Sequence, residues 1–291
     1  AGVTSHLISD HYHYWEAGGA TYHTQYSTWQ FFRGQEGDPW MGQADKEPTT
    51  GYAGRNAGDG PWITQDRVNR KFMQAEEQMP QAQTMRAGLD FIDRNHQADR
   101  WFLQIETFDP HEPFCNNRKY QDRYPEHFAN YRGPINDWPG YDRQNGTPAE
   151  EEHLRYEYRA LLSMCDSKLG DLLDRMDKYQ MWDDTMLVVW TDHGFLMGEH
   201  DWWAKMRSQW FEELSHTPFF VWDPRSGARN VRRQALIQPA IDLGPTLLEF
   251  FGLAPTADMT GKVLREAIAQ DAPVREAAIF GAFGHQVNVT D

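Results

Sequence analysis

A carboxylate and an imidazole stand side by side directly after a short apolar run. Residues 186–190 read Met-Leu-Val-Val-Trp, and Thr191, Asp192, His193 and Gly194 follow them. A run that is apolar at every position is typical of a buried strand in a parallel sheet. Neighbouring residues of a regular strand point to opposite faces, so Asp192 and His193 reach one metal ion only where the strand has ended. The glycine permits such a turn. A helix cap at Asp192 beside a solvated His193 is the alternative.

A second apolar run ends in a similar way. Residues 101–106 read Trp-Phe-Leu-Gln-Ile-Glu, and residues 109–113 read Asp-Pro-His-Glu-Pro. The two prolines stiffen the backbone around His111, and rigid placement suits a group that must reach a leaving oxygen within hydrogen-bond distance. Ligands of open α/β sheets bind beyond the carboxyl ends of the strands, so we expect both strand ends to contribute to one site. A histidine in a surface turn is the alternative for His111.

Three further side chains are candidates for contact with an anion. Lys205 follows the tryptophan pair 202–203, whose rings would exclude water and strengthen the attraction of the ammonium group for an anion. A solvated surface lysine is the alternative. His11 and His13 follow a predicted strand over residues 3–9. One of these two histidines is expected to face the site, and the sequence leaves open which.

The composition excludes several classes of protein. The 291 residues include 43 acidic and 28 basic side chains and carry a formal net charge of −15, which disfavours binding to nucleic acid. No apolar run approaches the roughly 20 residues of a membrane span, so we expect a soluble protein. If the substrate is an anionic ester, so acidic a protein attracts it only through local cations, for which a metal ion, His111 and Lys205 are the candidates. Cys115 and Cys165 cannot form a disulfide framework, which fits a reducing compartment such as the cytoplasm or a protein that is indifferent to redox conditions. The oligomeric state is left open.

Strands that alternate with helices predict an α/β fold, a mostly parallel sheet flanked by helices in one domain over residues 1–291. The predicted strands are 3–9, 101–106, 186–190, 218–222 and 277–283. The predicted helices are 83–94, 147–176 and 242–251. Thr147 and Pro148 begin the long helix as a cap and a first-turn proline. Residues 16–62 and 115–148 show no sustained periodicity, and because long ordered loops are often functional, both are predicted to be irregular, pocket-forming insertions.

The motifs at the strand ends resemble those of one enzyme family. Residues 109–114 read Asp-Pro-His-Glu-Pro-Phe, residues 191–194 read Thr-Asp-His-Gly, and residues 198–200 read Gly-Glu-His before Lys205. In this order they are similar to the sulfatase family of the alkaline-phosphatase superfamily. Further similar segments are 158–173, 214–219 and 241–248. The resemblance covers most of the chain, and it implies an alkaline-phosphatase-like fold and hydrolysis of a sulfate ester, a small anionic substrate.

The resemblance also implies roles for the candidate residues. Asp192 and His193 are implied as two ligands of one divalent cation, for which Ca²⁺, Mn²⁺, Mg²⁺ and Zn²⁺ are candidates. His111 is implied to contact the ester oxygens and to protonate the leaving group. Lys205 is implied to bind the anionic ester.

Two features depart from the family. His11 and His13 lie where sulfatases usually have a Gly-Lys-Trp-His segment, and one of the two is expected to bind substrate in its place. The family nucleophile is a cysteine that becomes formylglycine within Cys-x-Pro/Ala-x-Arg, or a serine or threonine, and it lies upstream with two metal-binding aspartates. Cys115 is followed by Asn-Asn-Arg and does not match. We therefore expect a segment of a longer sulfatase, incomplete at both ends.

Two rival functions fit the same residues. Phosphonate monoester and phosphodiester hydrolases of the superfamily share the motifs at 109–114 and 198–200. A non-catalytic fragment or scaffold with a vestigial metal motif is the second rival, because the nucleophile segment is not matched.

Overall fold

The chain forms two units. A computed structural model describes residues 2–45, 48–282, 284 and 286–291. The larger unit comprises residues 2–179 with 197–203, and the smaller unit comprises residues 180–196 with 204–291. Within the described part of the chain, no helix combines the length and the apolarity that crossing a bilayer requires.

The larger unit is built on three parallel strands. They are β1 (Thr4–Ser9), β2 (Thr28–Phe31) and β3 (Trp101–Glu106), in the order β2-β1-β3. Every residue of β1 pairs with a residue of β3. Leu7 and Ile8 of β1 are buried, as expected for a strand with a neighbour on each side. The carboxyl ends of β1 and β3 therefore lie side by side.

The larger unit also contains α-helices. They are α1 (Pro61–Arg70), α2 (Pro80–Asn95), α3 (Arg118–Gln121), α4 (Pro125–Phe128) and α5 (Pro148–Lys178). Of these, α2 packs on β1 and β3. Gly88 allows α2 to approach β3, because a Cβ there would lie 2.3 Å from Cδ1 of Ile105. At the start of α5, Thr147 Oγ1 accepts from the backbone N–H of Glu150, and the Glu150 carboxylate accepts from the backbone N–H of Thr147. This capping box confirms the predicted start of the long helix.

Antiparallel pairing dominates the rest of the chain. The strands are β4 (Leu187–Trp190), β5 (Leu196–Met197), β6 (Trp203–Ala204), β7 (Phe219–Trp222), β8 (Ala278–Ala282) and β9 (Gln286–Thr290). The helices are α6 (Glu212–Ser215), α7 (Pro239–Phe250) and α8 (Arg265–Gln270). In the smaller unit β4 pairs with β7, and β8 pairs with β9.

The expectation of a parallel, buried setting for residues 186–190 was wrong. Among the described residues, β4 and β7 form a two-stranded antiparallel sheet. Trp190 is 40% exposed. An apolar run indicates burial in general, but the direction of the neighbouring strand depends on the path of the intervening chain, which the run does not report.

The other predicted elements lie close to the observed ones. The strand at 101–106 is confirmed at its predicted bounds, and the last predicted strand is β8, although Phe283 at its end lies outside the described residues. Residues 16–62 contain β2, which was not predicted because four residues are too few to establish a period. Residues 115–148 contain α3 and α4. The role of both segments in forming a pocket stays a prediction.

Candidate active site

Three candidate histidines lie together at the carboxyl ends of β1 and β3. His11 and His13 follow β1, and His111 follows β3. The rings of His11 and His13 are 5.0 Å apart, edge to face. The Phe108 ring lies 5.2 Å from that of His11, 6.2 Å from that of His13 and 4.2 Å from that of His111. We call His11, His13 and His111 the histidine cluster; neighbouring parallel strands bring its members together.

One nitrogen of His11 contacts an acid. Its Nδ1 lies 3.3 Å from Oε1 of Glu106, the last residue of β3. The Tyr14 hydroxyl donates to the same carboxylate at 2.9 Å and so fixes its orientation. Among the described residues, Nε2 of His11 has no hydrogen-bond partner. His11 is therefore oriented through one nitrogen and presents the other.

Both nitrogens of His13 face acids. Nδ1 lies 2.8 Å from Oε2 of Glu16, and Nε2 lies 3.6 Å from Oε2 of Glu36. These carboxylates favour the doubly protonated ring. The nearby Glu36 carboxylate is the largest cause that raises the pKa of His13 to about 8, against the opposing effect of burial. His13 is therefore a cation at neutral pH.

Acceptors surround one nitrogen of His111. Nδ1 lies 2.6 Å from the carbonyl oxygen of Glu112, 3.3 Å from its Oε2 and 3.4 Å from Oε1 of Glu36. A proton on Nδ1 is the tautomer that these contacts require. The lone pair of the neutral ring is then on Nε2, the atom that can exchange a proton with a ligand.

Two buried aspartates belong to the same segments. Asp10 accepts a hydrogen bond from the backbone N–H of Phe108 at 2.7 Å. The side-chain amide of Gln35 donates to Asp10 at 3.0 Å and to Asp109 at 3.3 Å. Burial raises the pKa of Asp10 to about 6, and burial together with the charge of Asp10 raises the pKa of Asp109 well above its ordinary value. These carboxyls hold a proton more readily than solvated aspartates.

Asp192 and His193 lie in the smaller unit, just after β4. His193 Nε2 is 3.7 Å from Oδ2 of Asp192, so both atoms can contact one ion. His193 Nδ1 lies 2.8 Å from the carbonyl oxygen of Gly194, which assigns its proton to Nδ1 and the lone pair to Nε2. Metal-bound histidines commonly donate their second nitrogen in this way. One carboxylate oxygen and one imidazole nitrogen thus fit a divalent cation, although no group of three or more His, Cys, Asp or Glu side chains is arranged for a metal among the described residues.

Gly194 is required for a reason other than a sharp turn. A Cβ at this position would lie 1.8 Å from the carbonyl oxygen of Glu213. The backbone N–H of Gly194 donates to the carbonyl oxygen of Leu214 at 2.9 Å. The glycine therefore lets the segment after β4 pack directly on the backbone of α6.

Lys205 is also in the smaller unit and is 8% exposed. Its Nζ lies 6.0 Å from the ring centroid of Phe195. The flanking residues Ala204 and Met206 have φ angles of 66° and 77°, in the left-handed region that side chains rarely adopt. Strain of this kind persists only where surrounding structure fixes it. An aromatic neighbour was predicted for Lys205 from tryptophans 202–203, and the aromatic contact observed in its own unit is Phe195. It stays a prediction that one anion contacts all six candidate residues, which are His11, His13, His111, Asp192, His193 and Lys205.

Neither cysteine is prepared to act as a nucleophile. Both are free thiols. Burial raises the pKa of Cys115 to about 12, and burial also raises the pKa of Cys165, whose sulfur accepts a hydrogen bond from Gln81. Reactive cysteines have lowered pKa values.

Sequence reasoning missed Gln35 and Glu36. Both lie in the segment that was expected to be irregular, and Glu36 is 2% exposed. A signal was present in residues 33–38, Arg-Gly-Gln-Glu-Gly-Asp, which place polar side chains and two glycines inside an aromatic stretch. Glycines that bracket polar residues are typical of a tight, ordered loop.

Comparison with known proteins identifies the family. The family model described as Sulfatase matches residues 1–253. The chain belongs to the sulfatase family. Choline-sulfatase of Rhizobium meliloti is 30% identical over 181 residues, which are 57% of this chain and 32% of that protein. Iduronate 2-sulfatase of Homo sapiens is 24% identical over 174 residues, 51% of this chain and 31% of that protein. The chain thus spans about a third of the length of these two relatives.

Solved structures share the fold. The phosphonate monoester hydrolase of Agrobacterium radiobacter has a TM-score of 0.58 at 18% identity, over 97% of this chain and 64% of that chain. A protein solved in complex with its substrate D-glucosamine-2-N,6-O-disulfate has a TM-score of 0.59 at 15% identity, over 72% of this chain and 58% of that chain. The predicted alkaline-phosphatase-like α/β fold is confirmed.

Proposed function

We propose that this chain is part of a metal-dependent hydrolase that cleaves a sulfate ester. The observation that carries this proposal is the histidine cluster at the ends of β1 and β3, in a chain that matches the sulfatase family over residues 1–253. Imidazoles can attract an anion and pass a proton to a leaving oxygen, which are two tasks of ester hydrolysis. The activity is proposed for the whole protein, because the chain matches only 32% of the length of choline-sulfatase.

His111 is the proposed proton donor to the leaving oxygen. Its Nδ1 is surrounded by the carbonyl oxygen of Glu112 and by the carboxylates of Glu36 and Glu112. In the protonated ring, Nε2 carries the proton that the leaving oxygen takes. Because these contacts already hold Nδ1, the ring loses less conformational freedom when it meets the ester.

His11 and His13 have different proposed tasks. His11 uses Nδ1 for Glu106, which leaves Nε2 as the atom to contact an ester oxygen. His13 faces a carboxylate at each nitrogen, so it contributes positive charge near the site rather than a direct hydrogen bond. Of the two histidines, His11 is therefore our candidate for direct contact with substrate.

Asp192 and His193 are the proposed ligands of the divalent cation, which is Ca²⁺, Mn²⁺, Mg²⁺ or Zn²⁺. Their free donor atoms, Oδ2 and Nε2, lie 3.7 Å apart. When bound, such a cation withdraws negative charge from an ester oxygen. Lys205 is proposed to attract the anionic ester from a largely buried position.

Parallel assays on the natural full-length protein test the proposal. Aryl sulfate, phosphodiester and phosphonate monoester are offered at matched concentrations, with Mn²⁺ and with chelator. We expect the sulfate ester to be cleaved fastest and the activity to be lost with chelator. The second candidate function, hydrolysis of phosphonate monoesters or phosphodiesters, is supported by the structural likeness to the phosphonate monoester hydrolase. Faster cleavage of those esters would favour it.

A metal titration addresses the non-catalytic alternative. A scaffold with a vestigial motif would bind neither Mn²⁺ nor Ca²⁺, and replacement of Asp192 would change nothing. Metal binding to this chain that depends on Asp192 favours the hydrolase.

A further inference from the structure

The segment from Arg33 to Asp38 is an ordered loop. The Arg33 guanidinium donates to both carboxylate oxygens of Asp38, at 2.7 and 2.5 Å. The backbone N–H of Gly34 donates to Asp38 Oδ2 at 2.9 Å, and the backbone N–H of Asp38 donates to the carbonyl oxygen of Gln35 at 3.0 Å. From α1, Asn69 donates to the carbonyl oxygen of Asp38 at 2.8 Å. We call residues 33–38 the bridging loop.

The loop holds Glu36 in a strained conformation. The φ angle of Glu36 is 46°, in the left-handed region. At the next residue a Cβ would lie 1.7 Å from Cδ1 of Trp62, so only Gly37 fits there. Strain of this kind needs compensation from surrounding contacts, and it clusters at functional sites.

Gln35 and Glu36, the buried residues at the tip of this loop, each contact the segment after β1 and the segment after β3. The side-chain amide of Gln35 donates to Asp10, after β1, and to Asp109, after β3. The carboxylate of Glu36 lies 3.6 Å from Nε2 of His13, after β1, and 3.4 Å from Nδ1 of His111, after β3.

We propose that Glu36 is a positioning residue, whose single buried carboxylate sets the spacing and orientation of His13 and His111. One oxygen faces each ring, so neither ring can rotate without losing its contact. The role toward an ester rests on the proposed function, whereas the positioning itself does not. Gln35 supports Glu36, because its side-chain amide donates to both Asp10 and Asp109, which precede the two histidines in the chain.

Glu16 provides a matched control. It also contacts His13, through Nδ1 at 2.8 Å, but no contact with His111 is observed for it among the described residues, and its side chain is 46% exposed. The titratable groups around His13 are Glu16, Glu36, His11 and Tyr12. Those around His111 are Glu36 and Glu112, and Glu112 is unchanged in both variants. Glu36→Gln and Glu16→Gln each remove one carboxylate charge with little change of shape, so the two variants differ in the position and the burial of the lost charge.

The test is the pH titration of imidazole signals by NMR, in the chain labelled at histidine. We expect Glu36→Gln to lower the pKa of His13 by about one unit and to move the signals of His111 as well. Although Glu16 lies closer to His13, its carboxylate is 46% exposed and screened by solvent, whereas that of Glu36 is buried. Glu16→Gln should therefore lower the pKa of His13 less and leave the His111 signals in place. Unchanged His111 signals in Glu36→Gln, or equal effects of the two variants on both histidines, would overturn the proposal.

The proposal stays testable if Glu36→Gln does not fold, as judged by circular dichroism. In Glu16→Gln the carboxylate of Glu36 remains, so His13 should still titrate above the ordinary histidine value of about 6.5. Titration of His13 at that ordinary value would refute the role of Glu36. Because no arm of the experiment requires turnover, its failure is distinct from failure of the proposed hydrolysis.

Discussion

The two groups of candidate residues differ in what holds them. In the larger unit, distant parts of the chain orient the histidine cluster, since His11 meets Glu106 and both His13 and His111 meet Glu36. In the smaller unit, Asp192 contacts Thr191 and His193, its immediate neighbours in sequence, and its side chain is 74% exposed. The histidine cluster is thus oriented by non-local contacts, whereas Asp192 is contacted, among the described residues, only by its neighbours in sequence.

The largest expected effect is on the histidine cluster. His111→Ala in the full-length protein should lower kcat for an aryl sulfate by about 10²–10⁴-fold, because a positioned general acid contributes that much. Steady-state kinetics measures it. His96→Ala, at a histidine stacked on Tyr179 outside the cluster, is the control and should leave kcat unchanged. Equal turnover by His111→Ala would mean that another group protonates the leaving oxygen.

Removal of the buried carboxylate of Asp10 should have the next largest effect, on the free energy of unfolding. The pKa of Asp10 is raised from 3.8 to about 6, so the folded state binds a proton more readily than the unfolded state, and stability from this group falls as pH rises from about 4 to 6. Asp10→Asn should therefore raise the free energy of unfolding at pH 7 by roughly 1–3 kcal/mol, and by far less at pH 4. Urea denaturation at both pH values measures it, with Asp90→Asn at an exposed position as control. An increase in the free energy of unfolding that is equal at pH 4 and pH 7 would contradict the raised pKa of Asp10.

Metal binding tests the candidate ligands of the smaller unit, Asp192 and His193. Asp192→Ala should weaken Mn²⁺ binding by at least about tenfold, because it removes one of two proposed donors. Isothermal titration calorimetry on this chain measures it. Asp184→Ala removes an exposed carboxylate before β4 and should leave the affinity unchanged. If both variants bind Mn²⁺ like the parent chain, Asp192 is not a ligand.

The smallest effect concerns the charge of His13. Its pKa is raised from 6.5 to about 8, so its contribution to stability is complete below pH 6.5 and is lost as pH rises through about 8. Because the side chain is 39% exposed, solvent screening should keep the contribution below about 1 kcal/mol. Thermal denaturation of the parent chain and of His13→Gln between pH 6 and 9 compares the two. The difference between them should shrink across this range, and a constant difference would argue against a raised pKa.

Local patterns in the sequence predicted much of the fold. The strand at 101–106 was found from its apolar run, and the start of α5 from Thr147 and Pro148, because each signal lies within a few neighbouring residues. The direction of β4 and the existence of β2 were not predicted. Both depend on which distant strands become neighbours, and no local pattern reports that.

The candidate site divides in the same way. His11, His13 and His111 were found because each follows a recognisable strand, and Asp192 with His193 because they form an adjacent pair. Gln35 and Glu36 were missed because their partners are 23 to 75 residues away in the chain. Burial of a glutamate is decided by tertiary contacts, which sequence spacing does not reveal.

Titration of this chain with inorganic sulfate, followed through the imidazole signals, tests most directly whether the histidine cluster is an anion site. The signals of His11, His13 and His111 should shift along one saturation curve, with His11 affected most, while that of His96 stays in place. Sulfate that leaves the three signals unmoved, or that moves them no more than His96, would contradict the assignment of the cluster to an anionic ester.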